Sequence, residues 1–280
     1  MTDEITDRPI VRNPVVDRIA DGSVALGLSV RLARSGEIAR IARLTDHDFL
    51  YIDTQHAPFD VETIGHIAQT SLACGVAPIV RTRGADDSNL SLLLDMGVSG
   101  LVIPDVESAA QAEQVVQATK FAPIGSRSVG GGLPHFDYGP VPAAVAAPAL
   151  NAATVIICMI ESVAGLEDLD RIGAVPGFDG LYLGMNDMLL SMGRPSEFDS
   201  PEILEALDRV VAVAAANGKF AGCGGVKEID HQMDAIRRGV RFLTTQADAG
   251  YIISGARAHV GEIHQRMSAD PELSGALPKR

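Results

Sequence analysis

The sequence predicts a single-domain (β/α)8 barrel, and three observations carry that prediction. Eight short β-rich runs recur along the 280 residues, helical segments separate them, and no shift in composition divides the chain. The runs are Val24 to Val30, Phe49 to Asp53, Ala77 to Arg81, Gly100 to Pro104, Thr154 to Ile160, Gly180 to Gly184, Phe220 to Gly224 and Arg241 to Thr245. Several are apolar at every position, which is how parallel strands buried on both faces read. Between them apolar residues recur at three- and four-residue spacing, as in Ile38, Ile41, Ala42 and Leu44, or Ile64, Ile67, Ala68 and Leu72. That period places one apolar stripe along a helix.

Composition narrows the chemistry. Hydrophobic residues make up 46% of the chain and aromatics only 4%, with no Trp, so the expected core is mostly aliphatic. A formal charge of -13 argues against gripping nucleic acid or an anionic membrane, both of which need basic surface. Residues 1–21 are polar and acidic and read as an N-terminal extension without the apolar core of a secretory signal. The barrel is assigned to residues 22–267 and a C-terminal tail to residues 268–280. The stretch from Val141 to Ile160 is broken by Pro142, Pro148 and Asn151 and is a poor membrane span. Cys74, Cys158 and Cys223 are widely separated, which fits free thiols in a reduced cytoplasm better than disulfides or a zinc site.

One segment departs from the repeat. Pro123 to Pro148 contains Gly125, Gly130, Gly131, Gly132 and Gly139, too irregular for one helix or strand. It is expected to form a long functional loop over the barrel mouth with a short helix near its end, Arg127 either entering the site or tying the loop down, and His135 and Tyr138 facing substrate. No Gly-x-x-x-x-Gly-Lys pattern accompanies its glycines, so they do not read as a phosphate cradle.

In a parallel barrel the C-terminal ends of the strands share one face, where catalytic groups sit. The polar residues that end or follow the apolar runs are Asp53, His56, Arg81, Glu161 and Asp187. Two carboxylates from two strand ends, Glu161 and Asp187, suit a hard divalent cation. Taken singly, each is also an ordinary helix N-terminal residue near the positive end of a dipole. Arg81 closes the apolar run Ala77-Pro78-Ile79-Val80, where a guanidinium needs an anion; a substrate carboxylate and a structural ion pair both satisfy that need. No lysine stands at a matching strand end, which counts against Schiff-base chemistry.

Several motifs in order resemble the HpcH/HpaI aldolases, metal-dependent class II pyruvate aldolases, over roughly residues 22 to 265. They are Ile52-Asp53-Thr54-Gln55-His56-Ala57, Pro78-Ile79-Val80-Arg81, Leu93-Leu94-Asp95-Met96-Gly97, Gly125-Ser126-Arg127, Ile160-Glu161-Ser162 and Gly184-Met185-Asn186-Asp187. The resemblance implies a hexamer assembled from dimers that exchange C-terminal helices. It implies that Glu161 and Asp187 hold Mg²⁺ or Mn²⁺, with Co²⁺, Ni²⁺ or Zn²⁺ as further candidates, and that Arg81 clamps a 2-oxo acid. By the same resemblance His56 is the acid/base residue supported by Asp95, and Asp53 orients water or His56. Gly184, Met185, Asn186 and Arg127 would contact substrate. The implied reaction joins or cleaves a 2-oxo acid and an aldehyde through an enolate. Its rivals are a Claisen-type lyase acting on a thioester or larger acid, and a non-catalytic 2-oxo acid binder.

Three departures bear on the substrate. Many relatives read Asp-Gly-Glu-His where this chain has Asp53-Thr54-Gln55-His56. They often read Gln-Ile-Glu where it has Met159-Ile160-Glu161, and Gly-Pro-Ser-Asp where it has Gly184-Met185-Asn186-Asp187. The metal and clamp positions survive, while hydroxypyruvate or an unusual aldehyde becomes an open substrate choice.

Overall fold

The computed structural model describes residues 11–276. Its eight strands are β1 (Ala25–Val30), β2 (Phe49–Asp53), β3 (Ala77–Arg81), β4 (Gly100–Ile103), β5 (Val155–Ile160), β6 (Gly180–Gly184), β7 (Phe220–Gly224) and β8 (Val240–Ala247). All pair in parallel with their sequence neighbours, and β8 closes on β1. The helices are α1 (Pro14–Ala20), α2 (Glu37–Leu44), α3 (Val61–Cys74), α4 (Leu90–Asp95), α5 (Ala109–Thr119), α6 (Ala143–Ala153), α7 (Val163–Glu167), α8 (Leu169–Ala174), α9 (Met185–Ser191), α10 (Pro201–Ala216), α11 (Ile229–Arg238) and α12 (Asp248–Ala269). Four strands have the bounds read from sequence. The largest difference is β8, read as Arg241 to Thr245, which begins one residue earlier and continues through Gln246 to Ala247; Thr244, Thr245 and Gln246 line the mouth of the barrel.

The strands split their side chains between two cores. Leu50, Ile52, Val80, Ile156, Cys158 and Leu181 pack outward against the helices in an aliphatic layer, as composition predicts. The lumen is different: Phe49, Tyr51, Tyr182 and Phe242 fill it, with the rings of Phe49 and Phe242 stacked at 4.1 Å. Glycine makes the room. A Cβ at Gly222 would lie 2.7 Å from the Tyr182 ring, and one at Gly27 would collide with Phe49, so small residues on one strand admit aromatics from the next.

Part of the expected N-terminal extension belongs to the fold. Asn13 caps α1 by accepting from the Val15 amide, and its Nδ2 donates to Ser99 O at 3.1 Å and Ala153 O at 2.7 Å. This fixes α1 under the N-terminal ends of β4 and β5. Residues 1–10 of that extension lie outside the described residues, as do 277–280 of the tail. The expected tail begins too early, since α12 runs to Ala269.

The loop over the mouth is corrected. Residues 120–142 follow α5, which carries the chain away from the mouth, and precede α6 and β5, so they lie at the opposite end of the barrel. There Phe121, Leu133 and Leu150 form their own cluster. His135 Nε2 lies 3.3 Å from Val98 O, and Tyr138 donates to Gln69. Neither side chain faces the cleft of its own chain. The expected short helix is α6, an eleven-residue helix that accommodates Pro148.

Among the described residues all three cysteines are free, and burial pushes the Cys158 and Cys223 thiols up to about 12. No helix there is long and apolar enough to cross a membrane.

Candidate active site

Strand parity builds the site. Phe49 and Tyr51 point into the lumen, and the next residue of that parity is Asp53; Ala77 and Ile79 lead likewise to Arg81, and Val155, Ile157 and Met159 to Glu161. Each apolar inward series therefore ends in a charged side chain at the mouth. Asp53, Arg81, Glu161 and Asp187 line one cleft there, with a cavity of about 160 Å³, together with Arg31, Lys227 and Gln246.

Asp53 is satisfied on every side. The register of β2 on β3 places it directly across from Arg81, whose Nε and Nη2 donate to its two oxygens at 3.0 and 2.7 Å. Arg31 Nε adds a contact at 3.2 Å, and the His56 amide donates to Oδ1 at 3.2 Å. Burial alone would raise the pKa of this carboxyl, but the hydrogen bonds and charge of Arg81 outweigh it and hold the value below the ordinary range. Of the two options open for Arg81, the ion pair is present, and Nη1 has no hydrogen-bond partner among the described residues.

Glu161 is the opposite case. Only 4% of it is exposed, and its hydrogen bond is from the Asp105 amide to Oε1 at 2.9 Å. Burial pushes its carboxyl up to about 7, and the charges of Asp105 and Asp187 push the same way. The other oxygen lies against Gly184, where a Cβ would stand 2.6 Å from Oε2; glycine is needed there to admit the carboxylate. Asp187 sits in the first turn of α9 and has no ion pair among the described residues. A buried acid short of counter-charge, facing a second acid, is what a divalent cation would neutralise. Among the described residues no three His, Cys, Asp or Glu side chains form a metal-sized group. Two carboxylates alone would leave coordination positions for substrate and water.

A family model described as HpcH/HpaI aldolase/citrate lyase matches residues 31–253, most of the barrel and its mouth. The chain belongs to this family. It is an aldolase-type enzyme, a carbon–carbon lyase. It is 30% identical to the 2-keto-3-deoxy-L-rhamnonate aldolase of Escherichia coli over 240 residues, 85% of this chain and 88% of that protein. The crystal structure of an HpcH/HpaI aldolase from Desulfitobacterium hafniense superposes with a TM-score of 0.85 at 27% identity, covering 92% of this chain and 97% of the other. Citrate synthase SbnG superposes with a TM-score of 0.80 at 25% identity, covering 90% and 97%.

Other residues expected from the HpcH/HpaI pattern are less closely gathered. His56 is exposed at the rim, its amide on Asp53 and its carbonyl 3.4 Å from Arg31 Nη2. Asp95 does not reach it within the chain, because α4 leads from the mouth back toward the start of β4 and Asp95 is its last residue. There Asp95 accepts from Arg127 Nη2 at 2.6 Å. That pair places Arg127 outside the cleft as well. Gly184, Met185 and Asn186 do line it, Met185 buried and Asn186 exposed.

Sequence reasoning missed Arg31, although the rule that found Asp53 and Arg81 applies to it: it is the first charged residue after the run ending at Val30. Its loop is held by Asp248, 4% exposed, which accepts from the amides of Arg31, Leu32 and Ala33. Lys227 and Gln246 were also missed, since neither follows an apolar run directly.

Proposed function

We propose that this aldolase joins or cleaves a pyruvate-type 2-oxo acid and an aldehyde, using a divalent cation held by Glu161 and Asp187. The observation that supports it best is the contrast within one cleft between the neutralised Asp53 and the uncompensated Glu161. When bound, such a cation supplies Lewis acidity to the carbonyl of the 2-oxo acid. Mg²⁺ and Mn²⁺ match an all-oxygen ligand set.

The remaining work falls to the chain. Arg81, held rigidly by Asp53, presents its free Nη1 to the substrate carboxylate. The His56 imidazole takes a proton from C3 of the 2-oxo acid, giving the enolate that attacks the aldehyde carbon, and the imidazolium then gives a proton to the alkoxide oxygen so formed. In the reverse direction it returns that proton. Asp53 fixes the turn that carries His56 through its amide. Asp95 and His56 lie at opposite ends of one barrel, so support of His56 by Asp95 needs a neighbouring copy. An assembly built by exchanging α12 suits that need: this 22-residue helix exposes Tyr251, Ile252, Ile253, Val260 and Ile263. A cytoplasmic setting agrees with the free thiols.

The likeness to citrate synthase SbnG favours one second reading, a Claisen-type reaction through the enolate of a thioester or larger carboxylic acid. Proton exchange separates the readings. Pyruvate and hydroxypyruvate in D₂O are expected to lose their C3 protons, followed by NMR, only with metal and only with His56 present. Absence of exchange in the metal-loaded enzyme would move the assignment to the Claisen-type reaction.

A further inference from the structure

A second cavity, of about 480 Å³, lies at the end of the barrel opposite the cleft. Its walls are apolar, formed by Ile19 of α1, Phe178, Val211 of α10 and Phe220 at the start of β7. Two cations also line it. Lys219 is half-buried with Nζ 4.4 Å from the centroid of the Phe178 ring, and Nζ has no hydrogen bond or ion pair among the described residues. Arg241 directs Nη1 to the carbonyls of Ile236 and Val240, at 3.2 and 2.9 Å, and pairs with no carboxylate among them.

The carboxylate that lines the cavity is already taken. Asp179 accepts from the Ile156 amide at 2.7 Å and from Lys120 Nζ at 3.2 Å, and Lys120 is itself buried with two carbonyls around it. Asp179 pairs with Lys120, which leaves Lys219 and Arg241 without an ion pair among the described residues, beside apolar walls in a chain of net charge -13. Burial lowers the Lys219 pKa, with the Cys158 thiol and Asp179 only partly opposing. Partly desolvated cations without counter-charge favour an anion more strongly than surface lysines do.

We propose that this cavity binds a small amphiphilic carboxylate, its aromatic or branched aliphatic body against Phe178, Val211 and Phe220 and its carboxylate on Lys219 and Arg241. The site faces away from Glu161 and Asp187 and needs neither metal nor 2-oxo acid.

The test is calorimetric titration of the full-length protein with 3-phenylpropanoate and with its neutral amide, in chelator. The acid should bind one per chain and the amide at least about tenfold more weakly, the loss expected when a charge-assisted contact is removed. Lys219→Met should weaken the acid by a similar factor without changing aldolase turnover, and saturating pyruvate with Mg²⁺ should not displace it. Absence of binding, equal affinity for acid and amide, or displacement by pyruvate would overturn the proposal. Should Lys219→Met fail to fold, the acid and amide comparison on the unaltered protein decides alone.

Discussion

Asp53 and Glu161 end inward-facing series of the same barrel and are both nearly inaccessible, yet the β1–β3 side of the cleft surrounds its acid with two guanidiniums and an amide while the β5–β6 side gives its acid one amide and a second carboxylate. Burial costs an ionised carboxyl several kcal/mol unless partners offset it. On the first side the protein supplies those partners, so Asp53 acts as framework for Arg81 and for the His56 turn. On the second side Glu161 has no cationic partner within hydrogen-bonding distance among the described residues, and there the proposed cation would supply the offset. In the proposed reading, the difference separates the residues that shape the site from those that receive the reactants.

The comparison breaks most sharply at Glu161. Glu161→Gln and Asp187→Asn are expected to lower turnover by more than about a thousandfold, the scale of an essential electrostatic stabiliser, and to abolish divalent-cation binding in calorimetry. Melting in chelator should not fall for Glu161→Gln, since an uncompensated charge is removed; a large drop would mean that Glu161 is framework too. His56→Ala comes next, at about 10²–10⁴ in turnover, the range for an acid/base group. Its stability should be unaltered because the exposed ring makes no hydrogen bond among the described residues. If a neighbour's Asp95 supports His56, mixed oligomers of His56→Ala and Asp95→Asn should regain activity that neither variant has alone.

On the satisfied side the expected effect is on stability. Asp53→Asn leaves Arg81 without its partner and should cost about 3 kcal/mol at pH 7 in denaturant unfolding, as broken buried pairs do. Its pH dependence has a definite sign. The folded carboxyl titrates below its ordinary value of 3.8, so its contribution is fully present above that value and is lost as pH falls through the folded pKa. Wild type and variant should therefore converge in acid; a constant gap would assign the loss to packing instead. The smallest effect belongs to Arg31→Ala. With 47% of its side chain exposed, its pair with Asp53 is screened and should contribute less than about 1 kcal/mol. A rise in KM without loss of stability would move Arg31 from framework to substrate contact.

Much of this was legible in the chain. Apolar runs such as Ala77 to Arg81 and Gly180 to Gly184 gave strand bounds directly, because a strand buried on both faces tolerates few polar residues. The charged residues that end or follow those runs located the cleft for the same reason. Gln246 escaped notice as a strand residue because a side chain at the mouth faces water and no longer needs to be apolar. Asp95 and Arg127 were placed beside the substrate by motif, whereas α4 and the segment after α5 carry both toward the other end of the barrel.

The sequence by itself determined the order of eight strands, the inward parity of Asp53, Arg81 and Glu161, and the acidic character of the chain, since burial and side-chain period are local properties. Only the tertiary structure decided which of these charges are compensated. That depends on the β2–β3 register that sets Asp53 against Arg81, on the close approach of Gly184 to Glu161, and on the far-end packing that leaves Lys219 and Arg241 without an ion pair among the described residues. Charges act across space, so their pairing is fixed by which strands and helices meet, and no local stretch of sequence records that.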